Sequence, residues 1–355
     1  MTALVLGGGP AGSLAALLLA RGGARVTLVE QNRFPRDKVC GECLSDLGRQ
    51  VLRRHGLEAG LVQTGRSIDA AVLIGRARSV RLRLPRPMLG VSRSTMDAAL
   101  LAAAATAGVD VRQPARAEAV EVEGDAITVR VRDLISNRVT TERADWVVLA
   151  DGRGTLSADR PAATGDLGIK AHFVRVEADA DAVTLYGGFG CYGGVAPIEG
   201  GRWNAAFSVP RSMVAAARGD IQAVWDRLLS ESAVMRSHFA SAERISEWLA
   251  SPLPRHAPPA RIVGRIVSVG AAACAIEPVG GEGMGTALRS AELAAAAILA
   301  GDVDALLVQY SGLWRRRKTF CRLGGVLLSH PTTSDAVALA ATPVVGRAAM
   351  WLVGK

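Results

Sequence analysis

TALVLGGGPAGSLAALLLARGGARVTLVE, residues 2–30, decides how this chain is read. An apolar run, Leu4-Val5-Leu6, leads into Gly7-x-Gly9-x-x-Gly12. An Ala/Leu-rich helix follows, then a second apolar run, Val26 to Val29, that ends in Glu30. Each part has a physical purpose. Gly7 permits the tight turn, Gly9 carries no Cβ to block a pyrophosphate, and Gly12 lets helix and strand approach closely. Pro10 and Ala11 open the helix, whose free N–H groups face the phosphates. The Glu30 carboxylate accepts ribose hydroxyls and repels a 2′-phosphate, so the adenosine end bound here is that of FAD or NAD rather than NADP.

At 355 residues the chain is long enough for two intertwined domains or one large one. Lys occurs only at 38, 170, 318 and 355, so the net charge of +9 is almost entirely arginine. That pattern reflects a GC-rich genome at least as much as a basic surface. Aromatic residues make up 4%, few on which bases could stack, and no nucleic-acid partner is expected. The one dense basic run, Arg315 to Lys318, reads as the solvated face of a late helix. No segment reaches the run of about 18 apolar residues that a membrane span needs. The opening residues lack a charged leader and run straight into the phosphate loop, so they read as a strand, and a cytoplasmic location is expected. Five cysteines, an odd number, fit a reducing compartment. The apolar tail 336–355 is expected to pack against the body, with peripheral membrane contact as the alternative.

Along the chain a nucleotide fold alternates with something inserted in it. The expected organisation is a Rossmann-like α/β domain, a parallel sheet plus a β-meander, over 1–65, 92–165 and 260–303. An antiparallel-sheet substrate domain spans 66–91 and 166–259, and C-terminal helices fill 304–355. A polar loop from Gln31 to Ser45 precedes a helix at 46–55. A helix capped at Ser94 or Thr95 runs to Ala107, and three strands within 118–143 form the meander. The run Trp146 to Leu149 delivers Asp151-Gly152-Arg153 at its carboxyl end, where open α/β sheets place ligands. Residues 166–210 alternate with period two, and 211–250 read as helical. A last buried strand at 265–270 ends in a glycine-rich turn that opens a helix through Ala300.

Five segments, in this order, resemble the geranylgeranyl-reductase-like branch of FAD-dependent oxidoreductases. They are the glycine fingerprint, Phe34-Pro35-Arg36-x-Lys38-Val39-Cys40-Gly41-Glu42, Ala150-Asp151-Gly152-Arg153, Val269-Gly270-x-Ala272-Ala273, and Glu277-Pro278-x-x-Gly281-Glu282-Gly283-Met284. That branch is related to the class A aromatic hydroxylases and the flavin-dependent halogenases, and the resemblance covers roughly the first 320 residues. It implies FAD, with Gly7, Gly9, Pro10, Ala11, Gly12, Glu30 and Gln31 at the adenosine diphosphate half. Lys38, Cys40, Gly41, Val120, Asp151 and Gly152 surround the cofactor, and Arg93 meets the pyrophosphate. Gly270 and Ala271 run along the ribityl chain, and the N–H groups of Gly283, Met284 and Gly285 face the flavin. One departure stands out: family members carry an acidic residue where this chain has Ala271. Losing that hydrogen bond costs about 1.5–3 kcal/mol of cofactor affinity.

Cys40 and Cys43 form Cys-Gly-Glu-Cys, read as two reduced thiols near the flavin. A dithiol redox pair is the alternative, and Cys40 is retained as a catalytic candidate. His55, His172, His238, His256 and His330 match no ligand spacing, so no metal site is expected. A single nucleotide fingerprint means permanent FAD with electrons from transiently docked NADH or NADPH or from another carrier. Tyr192, within Tyr-Gly-x-x-x-Pro at 192–197, is the other catalytic candidate, as a pocket donor. Oxygenation of a hydrophobic or aromatic small molecule is expected first and reduction of a prenyl or polyene double bond second. Halogenation comes last, because the Trp-x-Trp-x-x-Pro segment of the halogenases is absent. A degenerate flavin fold acting as a binding partner is the non-catalytic alternative.

Overall fold

The computed structural model describes residues 1–123, 126–152, 156 and 165–340. A five-stranded parallel sheet forms the nucleotide fold, in the order Ile266–Ser268, Trp146–Leu149, Thr2–Leu6, Arg25–Val29, Asp110–Arg112. Thr2–Leu6 is buried on both faces because side chains alternate across a strand. Ala3 and Val5 pack with Leu14 and Leu17 of helix Pro10–Arg21, Met96 and Leu100 of helix Arg93–Thr106, and Ala291 and Ala294 of helix Gly283–Ala300. Leu4 and Leu6 turn the other way, onto Ile127, Val129 and Val131 of the meander. That meander consists of Ala115–Glu123, Ala126–Asp133 and Val139–Ala144. Leu6 pairs with both Val29 and Leu149, so Gly7, Glu30 and Ala150 emerge side by side at the carboxyl edge.

The second layer is a nine-stranded sheet ordered Glu243–Arg244, Leu167–Val174, Trp203–Val209, Tyr192–Pro197, Ala182–Tyr186, Arg66–Ile74, Ser79–Gly90, Cys43–Leu44, with Leu249–Pro252 also on Leu167–Val174. Its outer face is an aromatic core in which Phe173 stacks on Trp225 at 5.2 Å, and Phe207 and Phe239 meet the Trp225 edge or face. The scarce aromatic residues are thus spent largely on packing. The inner face, by alternation from Ile169, Ala171 and Phe173, carries Lys170 and His172 toward the nucleotide fold.

Three expectations change. Residues 211–250 are not helical throughout. Helices Arg211–Ala216, Ile221–Glu231 and Ala233–His238 are followed by Glu243–Arg244 and Leu249–Pro252, which join the open edge of Leu167–Val174, where unpaired N–H and C=O groups favour a strand. Ala182–Tyr186 runs parallel, not antiparallel, to Arg66–Ile74. The 93–106 helix is capped by Ser92, whose Oγ accepts from the Thr95 N–H at 3.1 Å; this moves Arg93 into the first turn. Arg153 and residues 341–355 lie outside the described residues.

Candidate active site

The glycines of the fingerprint divide into two groups. A Cβ on Gly12 would stand 1.9 Å from the Gly7 carbonyl, and one on Gly7, whose φ is +116°, would stand 2.4 Å from the Ala150 oxygen. Both are demanded by the fold itself. A Cβ on Gly9 would meet only the Arg93 guanidinium, at 3.9 Å, so Gly9 faces an open cradle. Glu30 is buried; its Oε2 accepts the Gly8 N–H at 2.8 Å and its Oε1 accepts the Asn32 N–H at 2.8 Å. Its carboxylate is therefore held rigidly at the strand end, while Gln31 beside it is exposed.

Arg93, buried at the first turn of its helix, is anchored by Asp97 at 2.6 and 2.8 Å, leaving the guanidinium directed over the Gly9 cradle. Lys38 reaches the same place, its Nζ 3.2 Å from where a Gly152 Cβ would be. Enclosure, then the charges of Arg93 and Arg36, push the Lys38 ammonium down to about 8. This is a cationic floor suited to a pyrophosphate. Asp151 accepts the Leu156 N–H at 3.1 Å, and Val120 lies half-buried on the meander. The thiols of Cys40 and Cys43 part company. Cys40 lies close to Arg93, and its carbonyl accepts from Asn204, whereas Cys43 is buried in a strand paired with Gly90. Both are free.

At the far end Gly270, with φ +63°, donates its N–H to Ser290 Oγ at 2.7 Å, and Ala271 follows, half-exposed. The first intrahelical bond of 283–300 runs from the Thr286 N–H to the Glu282 carbonyl, so the N–H groups of Gly283, Met284 and Gly285 precede the ladder. Gly285 is closed in by Ser45, whereas a Cβ on Gly283 would meet nothing within 4 Å. On the facing sheet the Asn204 side chain, 1% exposed, donates to the Cys40 carbonyl at 3.0 Å while its Oδ1 has no partner. An orphaned buried acceptor, an open glycine cradle and free helix-terminal N–H groups along one edge fit a flavin dinucleotide.

Sequence reading missed a buried ionic cluster. Glu42, fully buried with φ +55°, receives Lys170 Nζ at 2.5 Å, His172 Nε2 at 2.7 Å and the Arg93 N–H at 2.8 Å. Asp37 stands 3.4 Å from Lys170 Nζ. Asp37, Glu42 and His172 are close enough to share an ion, but the Lys170 ammonium already fills the position of the cation. The only sequence signal was the period-two placement of 170 and 172, which does not reveal what they face.

Separate from the glycine loop is a cavity of about 810 Å³ walled by Tyr192, Arg255, His256, Glu277, Trp314 and Lys318 among others. The Tyr192 hydroxyl donates to Glu277 Oε1; Arg255 Nε meets Glu277 Oε2 at 2.7 Å, and its Nη2 meets Asp166 at 2.9 Å. Burial, then the Glu277 charge, holds the Tyr192 phenol well above its ordinary range, so it stays protonated. Of the two catalytic candidates Tyr192 lines this cavity and Cys40 does not. The basic run is not a uniform solvated face. Arg317 Nε turns inward to Glu282 at 3.5 Å, and Lys318 lies over the Trp314 ring at 4.3 Å on the cavity wall, because the cavity side of the 306–329 helix needs cover.

A family model described as FAD binding domain matches residues 1–312. Menaquinone reductase of Mycolicibacterium smegmatis is 26% identical over 333 residues, 88% of this chain and 78% of that protein. Aklavinone 12-hydroxylase of Streptomyces peucetius subsp. caesius is 28% identical over 215 residues, 53% of this chain but only 44% of the relative. In fold, the flavin-dependent brominase Bmp2 superposes over 100% of this chain and 94% of its own, with a TM-score of 0.85 at 18% identity. The chain belongs to the FAD binding domain family, its cofactor is FAD, and it is an oxidoreductase of that type.

Proposed function

We propose that this member of the FAD-binding family hydroxylates a phenolic or otherwise electron-rich aromatic molecule in the cavity over Tyr192, with NADH or NADPH as electron donor. When bound, FAD supplies the redox chemistry, which the surrounding protein orients and shields. In the balance, one oxygen atom of O2 enters the ring, the other leaves as water, and the nicotinamide gives up two electrons. The observation that carries this reading is the Tyr192–Glu277–Arg255 chain in the cavity wall. A ring hydroxyl placed against Tyr192 donates to its oxygen, and the tyrosine proton already points at Glu277. A proton leaving the substrate is thereby accepted at the Glu277 carboxylate, whose charge Arg255 balances. Loss of that proton makes a ring electron-rich. Asn204 and Arg93 hold the cofactor side, and Trp314 and Val326 supply apolar wall.

Reduction of a double bond is the second reading, favoured because the menaquinone reductase relative aligns over nearly the whole chain, whereas the hydroxylase aligns over about half. One experiment separates them. The protein is loaded with FAD, and flavin absorption is followed on adding NADH or NADPH, with and without oxygen. Aromatic-stimulated oxygen consumption with product hydroxylation supports the first reading. Reoxidation of the flavin by a quinone or polyene under nitrogen supports the second and overturns the first. Absence of flavin uptake at saturating FAD overturns both.

A further inference from the structure

The helix Leu306–Ser329 has a face that the nucleotide site does not use. Val308, Gly312, Arg315, Thr319, Leu323 and Val326 recur every three or four residues and are all exposed, which places them on one stripe. Val308 is 74% exposed, Val326 61% and Leu323 52%; Leu339, on the next helix Pro331–Ala340, is 69% exposed. An ordinary surface helix presents charges of both signs there. This one presents Val308, Leu323 and Val326 with Gly312, Arg315 and Thr319 between them, so its one charge is positive. From residue 305 to the end the sequence holds seven basic residues and one acid, Asp335. That acid is spoken for, its Oδ1 accepting the N–H groups of Ala77 and Arg78 at 2.9 and 3.0 Å. The stripe also adjoins the cavity. Trp314, Lys318, Arg322, Val326 and Ser329 wall it from the neighbouring side of the same helix, and His330 and Pro331 complete that wall. Arg322 and Val326 therefore stand at the border between cavity and exposed stripe.

We propose that this stripe is a docking surface for an anionic lipid bilayer, placing the cavity mouth at the membrane so that an apolar substrate enters from the lipid. Exposed aliphatic residues with only positive charge among them complement a negatively charged interface, and neither feature suits a surface bathed in water. The docking itself does not depend on which reaction occurs; only the entry route rests on the cavity being the substrate site.

The test is co-sedimentation of the FAD-loaded protein with vesicles of phosphatidylcholine alone or with roughly a third phosphatidylglycerol. Binding is expected only to the anionic vesicles and should be lost in about 0.5 M salt, where screening shortens the reach of surface charge. The double variant Arg315→Glu, Leu323→Ser, neither residue lining the cavity, should partition at least about tenfold more weakly while keeping its melting temperature and FAD uptake. Equal sedimentation with neutral and anionic vesicles, no sedimentation with either, or undiminished binding of the variant would overturn the proposal. A concentration-dependent dimer that the same double variant abolishes would also overturn it, by assigning the stripe to a second copy. Flavin uptake without vesicle binding rejects docking and leaves the hydroxylase reading standing. Vesicle binding without aromatic turnover does the reverse.

Discussion

The glycine loop and the Tyr192 cavity, which we propose serve the same redox centre, are built in opposite ways. In the loop, 24 residues from Gly7 to Glu30 contain the turn, the helix start and the ribose acceptor, and backbone geometry does most of the work. In the cavity, Asp166, Tyr192, Arg255, Glu277 and Lys318 come from five separate segments, and side-chain charge does the work. A local motif tolerates no change in backbone space. A dispersed site tolerates changes in shape but not in proton balance.

The largest expected effect separates two glycines that the motif treats alike. Gly12→Val should prevent folding, because its Cβ lies 1.9 Å from the Gly7 oxygen, and the protein should be recovered unfolded or insoluble. Gly9→Val should fold with stability within about 0.5 kcal/mol of the parent yet take up no FAD, judged by thermal melting and flavin absorbance. If Gly9→Val retains FAD, the cradle is misplaced. Next in size is Glu42→Ala, which leaves the buried Lys170 only the exposed Asp37, at 3.4 Å, as counter-charge and should cost about 3 kcal/mol by urea unfolding. A cost under about 1 kcal/mol would mean that the cluster is solvated.

On the cavity side, Tyr192→Phe should leave FAD uptake unchanged and lower kcat/KM about ten- to a hundredfold, the worth of a hydrogen bond to a charged group. An unaltered kcat/KM would remove Tyr192 from the proton path. Ala271→Asp should tighten FAD about tenfold or more in a fluorescence titration, by restoring the missing ribityl acceptor.

The smallest effect is a pH slope. Lys38, pushed down to about 8, is charged at neutral pH, so FAD affinity should fall as pH rises through about 8, and Lys38→Met should flatten that dependence. Stability of the FAD-free protein should move the other way. The unfolded lysine keeps its proton up to its ordinary 10.5, so between about 8 and 10.5 the unfolded state binds more protons and stability rises with pH.

Much of the nucleotide fold was legible in the chain because its signals are short in range. The run from Gly7 to Glu30, the meander and the helix opening at Gly283 each carry their own hydrogen-bond logic in a few residues. Less was legible in the sheet. The short strands at 243–244 and 249–252 have no strong pattern of their own and exist because Leu167–Val174 offers an edge. The Arg315–Lys318 run read as solvated because sequence period gives a helical face but not its neighbour; Glu282 turned Arg317 inward, while Lys318 stays exposed over the Trp314 ring.

The sequence by itself determined a dinucleotide-type strand–helix–strand unit closed by an acidic residue, because turns, caps and glycine contacts are settled within it; FAD rather than NAD rested on the distal motifs and the family match. Only the tertiary structure decided that Glu42 meets Lys170 and His172 across more than 120 residues, that Asn204 holds an open acceptor beside Cys40, and that Tyr192 points its proton at Glu277. Those are meetings of buried polar groups. Burial is a property of how layers stack, so no spacing within the chain could announce them.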